Sequence, residues 1–329
     1  MTQYKSLLDE FDTQSAIALV KEKFAYELCS SLDLSRVSAP LFVKQGSGIN
    51  DDLNGVERPV SFDILQTGEI AEVVHSLAKW KRMALLKYHF PLHTGLYTDM
   101  NAIRRDEECD SIHSIYVDQW DWEKIITAED RTEYYLESTV RSIYGAICRT
   151  AKEVNKKYPM CKVDLPNQIS FITTQELEDK YPDLTPKQRE YEITKELKAV
   201  FIMKIGGVLN SGKKHDGRAP DYDDWNLNGD ILIYHATTDI ALEISSMGIR
   251  VDRESLLRQL KAENKEERVK YEFHTLLLNG SLPLTVGGGI GQSRLCMLLL
   301  NKAHIGEVQV SIWPQKEIDK CKLQGINLL

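Results

Sequence analysis

The strand-like segments of this chain occur in neighbouring pairs, and few of them are separated by a single helix. The clearest pairs are residues 96–104 with 112–121 and residues 229–235 with 240–246. Parallel strands need a long crossover, usually a helix, whereas neighbouring strands with a short connection pair antiparallel. The order therefore predicts an α+β fold with a mostly antiparallel sheet, rather than a doubly wound parallel one.

Helical periodicity and capping signals predict helices around these strands. Thr13 is predicted to cap a helix that ends at residue 31, and residues 34–43, which include Pro40, are predicted to form the next strand. The predicted capping boxes are Thr173 with Glu176 and Thr185 with Gln188. Further helices are predicted to start at Ser76 and to cover residues 129–158, 254–262, 267–278 and 294–300.

Composition narrows the class of protein. With 329 residues, of which 42% are hydrophobic and 27% charged, the chain can bury a sizeable core without disulfides. Its formal net charge of −8 repels a phosphate backbone, which argues against nucleic acid as a partner. The longest purely apolar run, residues 295–300, is far shorter than the roughly 20 residues of a membrane span. Six cysteines without a CxxC pair are typical of reduced thiols, so we expect a cytoplasmic protein that does not enter a membrane.

Residues 287–291 are rich in glycine and precede Arg294 in a predicted helix. Glycine lets a backbone approach a ligand closely, and a helix N-terminus favours anions, so this segment is a candidate phosphate site. Its spacing matches neither the dinucleotide fingerprint nor the Walker loop. The alternative is that the glycines serve only the close packing of strands.

A second candidate is the strand at residues 114–122. Gln119 and Asp121 share one face of this strand, and Asp118 points to the other. A buried carboxylate needs a cation, a metal or hydrogen-bond donors. The strand is therefore either part of a site or a place of structural ion pairing, and the pattern leaves both open.

A third candidate lies on the strand at residues 240–246, where Glu243 and Ser245 share a face and Arg250 follows. Together with Asp230 on the neighbouring strand, Glu243 could bind Mg²⁺, which prefers one or two carboxylates along with substrate phosphates. Spacing alone leaves that open. The acidic run at residues 221–225 is predicted to be a solvated loop.

Other polar residues carry weaker signals. Lys79, Lys81 and Arg82 lie close to an aromatic residue, but their helical spacing gives little support for a nucleic-acid site. His75 and His113 belong to no hydrolase or metal-binding motif. We expect both histidines to be hydrogen-bonded structural residues.

Taken together, three segments resemble the signature motifs of class II aminoacyl-tRNA synthetases. They are the first helix with the Pro40 strand, the hairpin after Arg104, and residues 289–295. Four further segments are similar to the asparagine synthetase A family, the ammonia-dependent aspartate ligases, namely residues 75–82, 117–123, 218–225 and 243–250. The resemblance implies a single catalytic domain over residues 1–329, with an antiparallel sheet flanked by helices, and a homodimer.

The resemblance also implies a reaction. ATP would activate L-aspartate to β-aspartyl-adenylate with release of pyrophosphate, and ammonia would then give L-asparagine and AMP. Asp51 or Gln119 would position the ammonia for this second step. The implied site residues are Asp51, Arg104 and Gln119 for catalysis; Lys81, Asp223 and Ser245 for aspartate; Arg104, Asp121, Glu243, Arg250 and Arg294 for ATP; and Asp230 and Glu243 for Mg²⁺.

Two other functions remain as alternatives. A class II tRNA synthetase usually has an added anticodon-binding domain, and we expect no residues to be left for one. A synthetase-like regulatory subunit without turnover is disfavoured by the joint presence of Arg104, Glu243 and Arg294. Asparagine synthetases that use glutamine have an N-terminal cysteine nucleophile, whereas residue 2 is Thr2 and the first cysteine is Cys29. Ammonia is therefore the expected nitrogen donor.

Overall fold

The computed structural model describes residues 4–51 and 57–329. Its strands are β1 (Leu34–Arg36), β2 (Phe42–Lys44), β3 (Ser61–Ile64), β4 (Glu69–Val73), β5 (Gly95–Ile103), β6 (Tyr116–Ile125), β7 (Ser170–Thr173), β8 (Ala199–Met203), β9 (Asp223–His235), β10 (Ile240–Arg250) and β11 (Thr285–Gly291). Eight of them form one sheet in the order β1-β5-β6-β11-β10-β9-β8-β7, and the order in a smaller sheet is β2-β4-β3. Neighbours in the large sheet are antiparallel, except for β1 with β5 and β7 with β8 at its two ends. The predicted α+β fold with a mostly antiparallel sheet is confirmed.

Helices flank the large sheet. They are α1 (Glu10–Leu32), α2 (Ala78–Lys87), α3 (Glu133–Lys157), α4 (Thr174–Lys180), α5 (Pro186–Leu197), α6 (Arg253–Ala262), α7 (Glu272–Leu278), α8 (Gln292–Leu299) and α9 (Gln315–Gln324). In the part of the chain that the structure describes, no helix has both the length and the apolar character needed to cross a membrane.

Local capping chemistry explains where several helices begin. Both predicted capping boxes form, and Thr173 and Thr185 are the N-caps of α4 and α5. The prediction that Thr13 caps α1 is wrong, because Asp9 accepts the backbone N–H of Asp12 and caps the helix earlier. Thr13 is buried inside α1, where its hydroxyl accepts a hydrogen bond from Lys302 Nζ at 2.7 Å.

Several segments differ from their predicted extents, and three of them also differ in kind or are divided. Residues 34–43 do not form one strand, since β1 pairs with β5 in the large sheet and β2 pairs with β4 in the small one. Pro40 lies between them, and its missing N–H cannot continue a sheet ladder. The segment 267–278 is divided into a 3₁₀ helix, Glu266–Lys270, and α7. The predicted loop at residues 221–225 is mostly strand, because β9 begins at Asp223.

The two faces of the large sheet differ in chemistry. Trp120 and Trp122 of β6 point to the face where α1, α3 and α8 pack, and Phe24 of α1 lies 4.6 Å from the Trp120 ring, centroid to centroid. Alternate residues of the same strand point to the opposite face. That second face carries Gln119 and Asp121 and borders a cavity.

Candidate active site

A cavity of about 440 Å³ brings together most of the residues that the sequence singled out. The predicted site residues that line it are Lys81, Arg104, Gln119, Asp121, Asp223, Glu243, Ser245, Arg250 and Arg294. Asp51 and Asp230 are buried beside lining residues: Asp51 is hydrogen-bonded to His75, and Asp230 is paired with Arg218. Tertiary structure therefore places all the predicted residues in one region.

Lys81 lies in the floor of the cavity and is fully buried. Its ammonium group is paired with Asp121 and donates to the carbonyl oxygens of Trp122 at 2.9 Å and Gly288 at 3.2 Å. Burial lowers the pKa of Lys81 and raises that of Asp121, while the attraction between the two charges opposes both shifts. Asp121 is thus both a lining residue and a structural ion-pair partner.

Arg250 crosses the floor next to this pair. Its Nε and Nη2 donate to the Glu123 carboxylate at 3.0 and 2.8 Å, and its Nη1 is paired with Asp223. Burial opposes the charge of Arg250, but the two carboxylates raise its pKa above the ordinary value. Sequence analysis missed Glu123, although it continues the two-residue alternation of Gln119 and Asp121 on the same face of β6.

Asp230 and Glu243 form an acidic pair on β9 and β10. A β-bulge between Glu243 and Ser245 interrupts the regular alternation expected from the sequence. Burial and the neighbouring charge of Glu243 raise the pKa of Asp230 to about 7. Partial desolvation would raise the pKa of Glu243, but Arg294 and Arg218 lower it below the ordinary value. Arg218 lines the cavity, and no local pattern in the sequence pointed to its pairing with Asp230.

The glycine-rich segment forms a strand, β11, and α8 follows it directly. A Cβ atom at Gly287 would overlap the Glu123 carboxylate, and one at Gly289 would overlap the Gln119 amide. These two glycines therefore leave room for side chains from the neighbouring strand β6. Close packing explains them, and the packing in turn admits two polar groups to the floor of the cavity.

Several polar groups of the cavity have unused hydrogen-bonding capacity. The Nε of Arg104 and the Oγ of Ser245 are buried and have no hydrogen-bond partner among the described residues. Arg104 follows the end of β5, and its Nη1 lies 3.8 Å from the carboxylate of Glu107. Arg294, on α8, donates to the backbone carbonyl of Glu243 at 3.1 Å. Such groups are free to bind an anionic or polar ligand.

Asp118 points to the opposite face of β6, as its place in the strand predicted, although it also lines part of the cavity. Its carboxylate pairs with Lys21 of α1 at 2.9 Å and accepts the backbone N–H of Ser293 at 3.0 Å. The second contact satisfies a free N–H in the first turn of α8. For Asp118, structural pairing is therefore the role that the geometry supports.

A second cluster of potential metal ligands lies outside the cavity and comprises His304, Glu317 and Cys321, all buried. His304 Nδ1 accepts the backbone N–H of Gly306 at 2.9 Å, and Nε2 faces Glu317 at 3.3 Å. A neutral imidazole that accepts at Nδ1 carries its proton on Nε2, which leaves no lone pair there for a metal. This cluster is a hydrogen-bonded pair beside a buried thiol.

Solved structures with the same fold are class II aminoacyl-tRNA synthetases. The asparaginyl-tRNA synthetase of Pyrococcus horikoshii, complexed with asparaginyl-adenylate, has a TM-score of 0.67 at 17% identity, over 92% of this chain and 70% of that chain. The asparaginyl-tRNA synthetase of Entamoeba histolytica has a TM-score of 0.62 at 15% identity, over 91% of this chain and 67% of that chain. The fold of this chain is therefore that of the class II synthetases.

Sequence comparisons identify the family within this class. The family profile described as AsnA, Aspartate-ammonia ligase, matches residues 11–325. The aspartate–ammonia ligase of Clostridium tetani is 61% identical over 99% of this chain and 96% of its own length. That of Levilactobacillus brevis is 58% identical over 99% and 98%. This chain belongs to the aspartate–ammonia ligase family and is a ligase.

Proposed function

We propose that this chain makes L-asparagine from L-aspartate, ammonia and ATP, through a β-aspartyl-adenylate, with release of AMP and pyrophosphate. The proposal rests on one observation: a single cavity combines the guanidinium groups of Arg104 and Arg294 with the polar side chains of Gln119 and Asp223. The full-length relatives named aspartate–ammonia ligase support the same reaction. The asparaginyl-adenylate bound by the Pyrococcus synthetase is an adenylate of the same kind.

Aspartate is proposed to bind above the paired charges of the floor. Asp223 and Gln119 offer oxygen acceptors to its α-ammonium group, and the Ser245 hydroxyl offers a donor to its carboxylates. The three N–H groups of Lys81 already have partners, so Lys81 is proposed to attract the carboxylates through its charge. Asp121 and Arg250 were predicted to contact ATP, and that role stays a prediction. Their present partners suggest that they also act on the substrate indirectly, by holding Lys81 and Asp223 in place.

Arg104 and Arg294 are proposed to bind the phosphates of ATP. When the β-carboxylate of aspartate attacks the α-phosphorus, negative charge moves onto pyrophosphate. Guanidinium groups that are already in place stabilise that charge without reorganisation of solvent. Arg104 suits this role because its Nε has no partner among the described residues.

Asp230 and Glu243 fit the binding of Mg²⁺ with ATP. Burial in the first place, and the neighbouring charge of Glu243 in addition, disfavour the ionised form of Asp230, and a divalent cation would offset both effects. The Glu243 side chain is 40% exposed, so its oxygens are accessible from the cavity. When bound, the ion would neutralise phosphate charge. Arg218 already compensates part of the charge of Asp230.

The second half of the proposed reaction needs ammonia as a nucleophile. Ammonium must lose a proton before it attacks the adenylate carbonyl, and a carboxylate near that carbonyl can hold the cation and receive the proton. Asp51 and Gln119 are proposed for this end of the site. Asp51 lies close enough to Tyr222, a lining residue, for its charge to help raise the pKa of that phenol, to which burial contributes most.

One assay tests the reaction. Purified protein is supplied with aspartate, ATP and Mg²⁺, with and without ammonium, and nucleotide and amino-acid products are separated. We expect asparagine and AMP only when ammonium is present. Formation of ADP would refute the adenylate route, and transfer of an amino acid to tRNA would favour a synthetase instead.

Asp51→Asn tests whether Asp51 acts on ammonia, since this substitution keeps the size and polarity of the side chain but removes its charge. ATP should still bind with near wild-type affinity, measured by calorimetry. Asparagine formation at saturating ammonium should fall about a hundredfold or more, because proton acceptance contributes that much in general base catalysis. Loss of ATP binding with aspartate binding untouched would show that Asp51 belongs to the nucleotide half.

The assembly and the location of the protein are part of the same proposal. We propose that residues 1–329 act as one catalytic domain in a cytoplasmic homodimer, which pairs through α1 and the Pro40 segment. Phe11 and Tyr26 on α1 expose 80% and 68% of their surfaces, which is costly for aromatic residues without a partner. All six cysteines are free thiols, as in a reducing compartment. Light scattering at micromolar concentration should give the dimer mass.

A further inference from the structure

Two hydrogen bonds from the segment that contains His75 and Lys79 hold the backbone on either side of Asp51, and a third holds the side chain of Asn50. The backbone N–H of His75 donates to Asn50 Oδ1 at 2.9 Å, and His75 Nδ1 lies 3.0 Å from the carbonyl oxygen of Asp51. Lys79 Nζ donates to the carbonyl oxygen of Asn50 at 3.0 Å. His75 and Lys79 are 1% and 4% exposed, so water cannot easily replace these donors.

The contact with Asp51 determines the tautomer of His75. A carbonyl oxygen can only accept, so the proton of the neutral ring lies on Nδ1. The other nitrogen, Nε2, is buried and has no hydrogen-bond partner among the described residues. The histidine that the sequence analysis regarded as structural is therefore a donor directed at a candidate catalytic residue.

Lys79 connects this contact to the other side of the cavity. Its Nζ lies 3.7 Å from the carboxylate of Asp221, which also accepts from Arg268 at 2.9 Å and lies 3.2 Å from His274 Nε2. Burial raises the pKa of Asp221, but these neighbours lower it well below the ordinary value, so the carboxylate stays charged. Asp221 precedes Tyr222 and Asp223, which line the cavity. Lys79 thus joins the backbone at Asp51 to the segment that presents Asp223.

We propose that His75 and Lys79 are positioning residues that hold Asp51 in register with Asp223 for the ammonia-dependent half of the reaction. This inference rests on the proposed function of Asp51. His75 acts through its Nδ1–H on the Asp51 carbonyl, and Lys79 acts on the preceding carbonyl through an anchor on Asp221. A displacement of about 1 Å in a reacting group costs about a hundredfold in rate, so two buried donors to this backbone can control activity.

Two substitutions of His75 separate this role from its alternatives. His75→Ala removes both ring nitrogens, whereas His75→Asn keeps an amide N–H near the position of Nδ1 and removes Nε2. We expect His75→Ala to lower kcat/KM for ammonium about a hundredfold with KM for ATP unchanged, and to speed amide hydrogen exchange in residues 47–51. His75→Asn should recover kcat/KM to within about tenfold of the wild type and restore slow exchange.

His235→Ala is the matched control, because His235 is also buried, is bonded through Nδ1 and has an Nε2 without a hydrogen-bond partner among the described residues. It does not line the cavity, so kcat/KM for ammonium should be unchanged per folded molecule. If His75→Ala does not fold, Lys79→Met must show the same selective loss for ammonium.

Three results would overturn the inference. The first is an unchanged kcat/KM for ammonium in His75→Ala. The second is a rise of KM for ATP in this variant as large as the loss of kcat/KM for ammonium. The third is a loss in His75→Asn as large as that in His75→Ala with slow exchange retained, which would assign the effect to Nε2. If the wild type forms no asparagine, the proposed function fails by itself. In that case the positioning role is tested by hydrogen exchange alone. Unchanged amide exchange in residues 47–51 of His75→Ala would refute it.

Discussion

The two faces of strand β6 show how one sheet can serve both stability and chemistry. On one face, Trp120 and Trp122 are almost fully buried beneath the helices. On the other face, Asp121 and Glu123 are equally buried but paired with Lys81 and Arg250. Around the two tryptophans the first face gains free energy from apolar burial, while Asp118 on the same face is paired with Lys21. The second can bury charges only because each has a partner, and the removal of one partner leaves a costly charge.

Burial does not by itself distinguish core from site. A substitution on the apolar face should change the free energy of unfolding and leave the chemistry of each folded molecule intact. A substitution on the charged face that removes a group able to bind a ligand should lower the activity and leave the free energy of unfolding nearly unchanged.

Trp120→Ala should have the largest effect on stability. Truncation of a fully buried tryptophan costs about 3 to 5 kcal/mol of the free energy of unfolding, and here it also removes the contact with Phe24. Urea unfolding measures the loss, with Tyr134→Ala, at an 80% exposed position, as the control. Normal stability in Trp120→Ala would show that the apolar face does not carry the fold.

Arg104→Ala should give the largest loss of activity with an intact fold. Removal of one donor that is aimed at a developing negative charge costs about 2.7 to 4 kcal/mol, or roughly a hundred- to a thousandfold in rate. Aspartate-dependent exchange of pyrophosphate into ATP measures it, and the unfolding midpoint should match that of the wild type. Near-normal exchange would contradict the assignment of Arg104 to the phosphates.

His235 extends the comparison to pH. It continues the register of Ile231 and Ile233 on the apolar face, and burial lowers its pKa to about 4. The unfolded chain takes up a proton below pH 6.5 and the folded chain only below about 4. The residue is neutral in both states above pH 6.5, and about 3 kcal/mol of the free energy of unfolding is lost progressively as the pH falls from 6.5 to about 4.

His235→Asn can keep the bond to Thr238 but cannot titrate. Its free energy of unfolding should therefore fall less steeply than that of the wild type between pH 6.5 and 4. Parallel curves for the two proteins would show that His235 is already protonated, or free to become so, in the folded state.

Two adjacent glycines of β11 give the test with the smallest expected effects. It separates the two faces clearly, because Cβ atoms added at these glycines would point to opposite faces of the sheet. A Cβ at Gly288 would overlap Met247 and the backbone of Ser246, so Gly288→Ala should cost about 1 to 3 kcal/mol of stability. A Cβ at Gly289 meets the end of the Gln119 side chain, which can swing away. Gly289→Ala should therefore fold normally and lose activity.

Measured together by unfolding and by asparagine formation, the two variants should give opposite results. If Gly289→Ala were fully active, Gln119 would have no part in the site. If both variants lost stability equally, the separation between the two faces would not hold for this strand.

Much of this architecture follows from local sequence. Thr173 and Thr185 cap helices as their spacing predicts, because a capping box needs only residues three apart. The alternation along β6 separates Gln119 and Asp121 from Asp118, since a strand has a period of two. The motifs around Arg104, Glu243 and Arg294 indicated the family that the comparisons identify.

Tertiary structure alone decided how the charges pair. Arg250 and Glu123 are 127 residues apart in the chain, and Lys81 and Gly288 are 207 apart. Such contacts leave no periodic trace, because they depend on which strands become neighbours. The same reason explains why the bond from His75 to the backbone of Asp51 escaped the sequence analysis. A sequence specifies which residues share a face, but only the packed sheet decides which charge is buried against which partner.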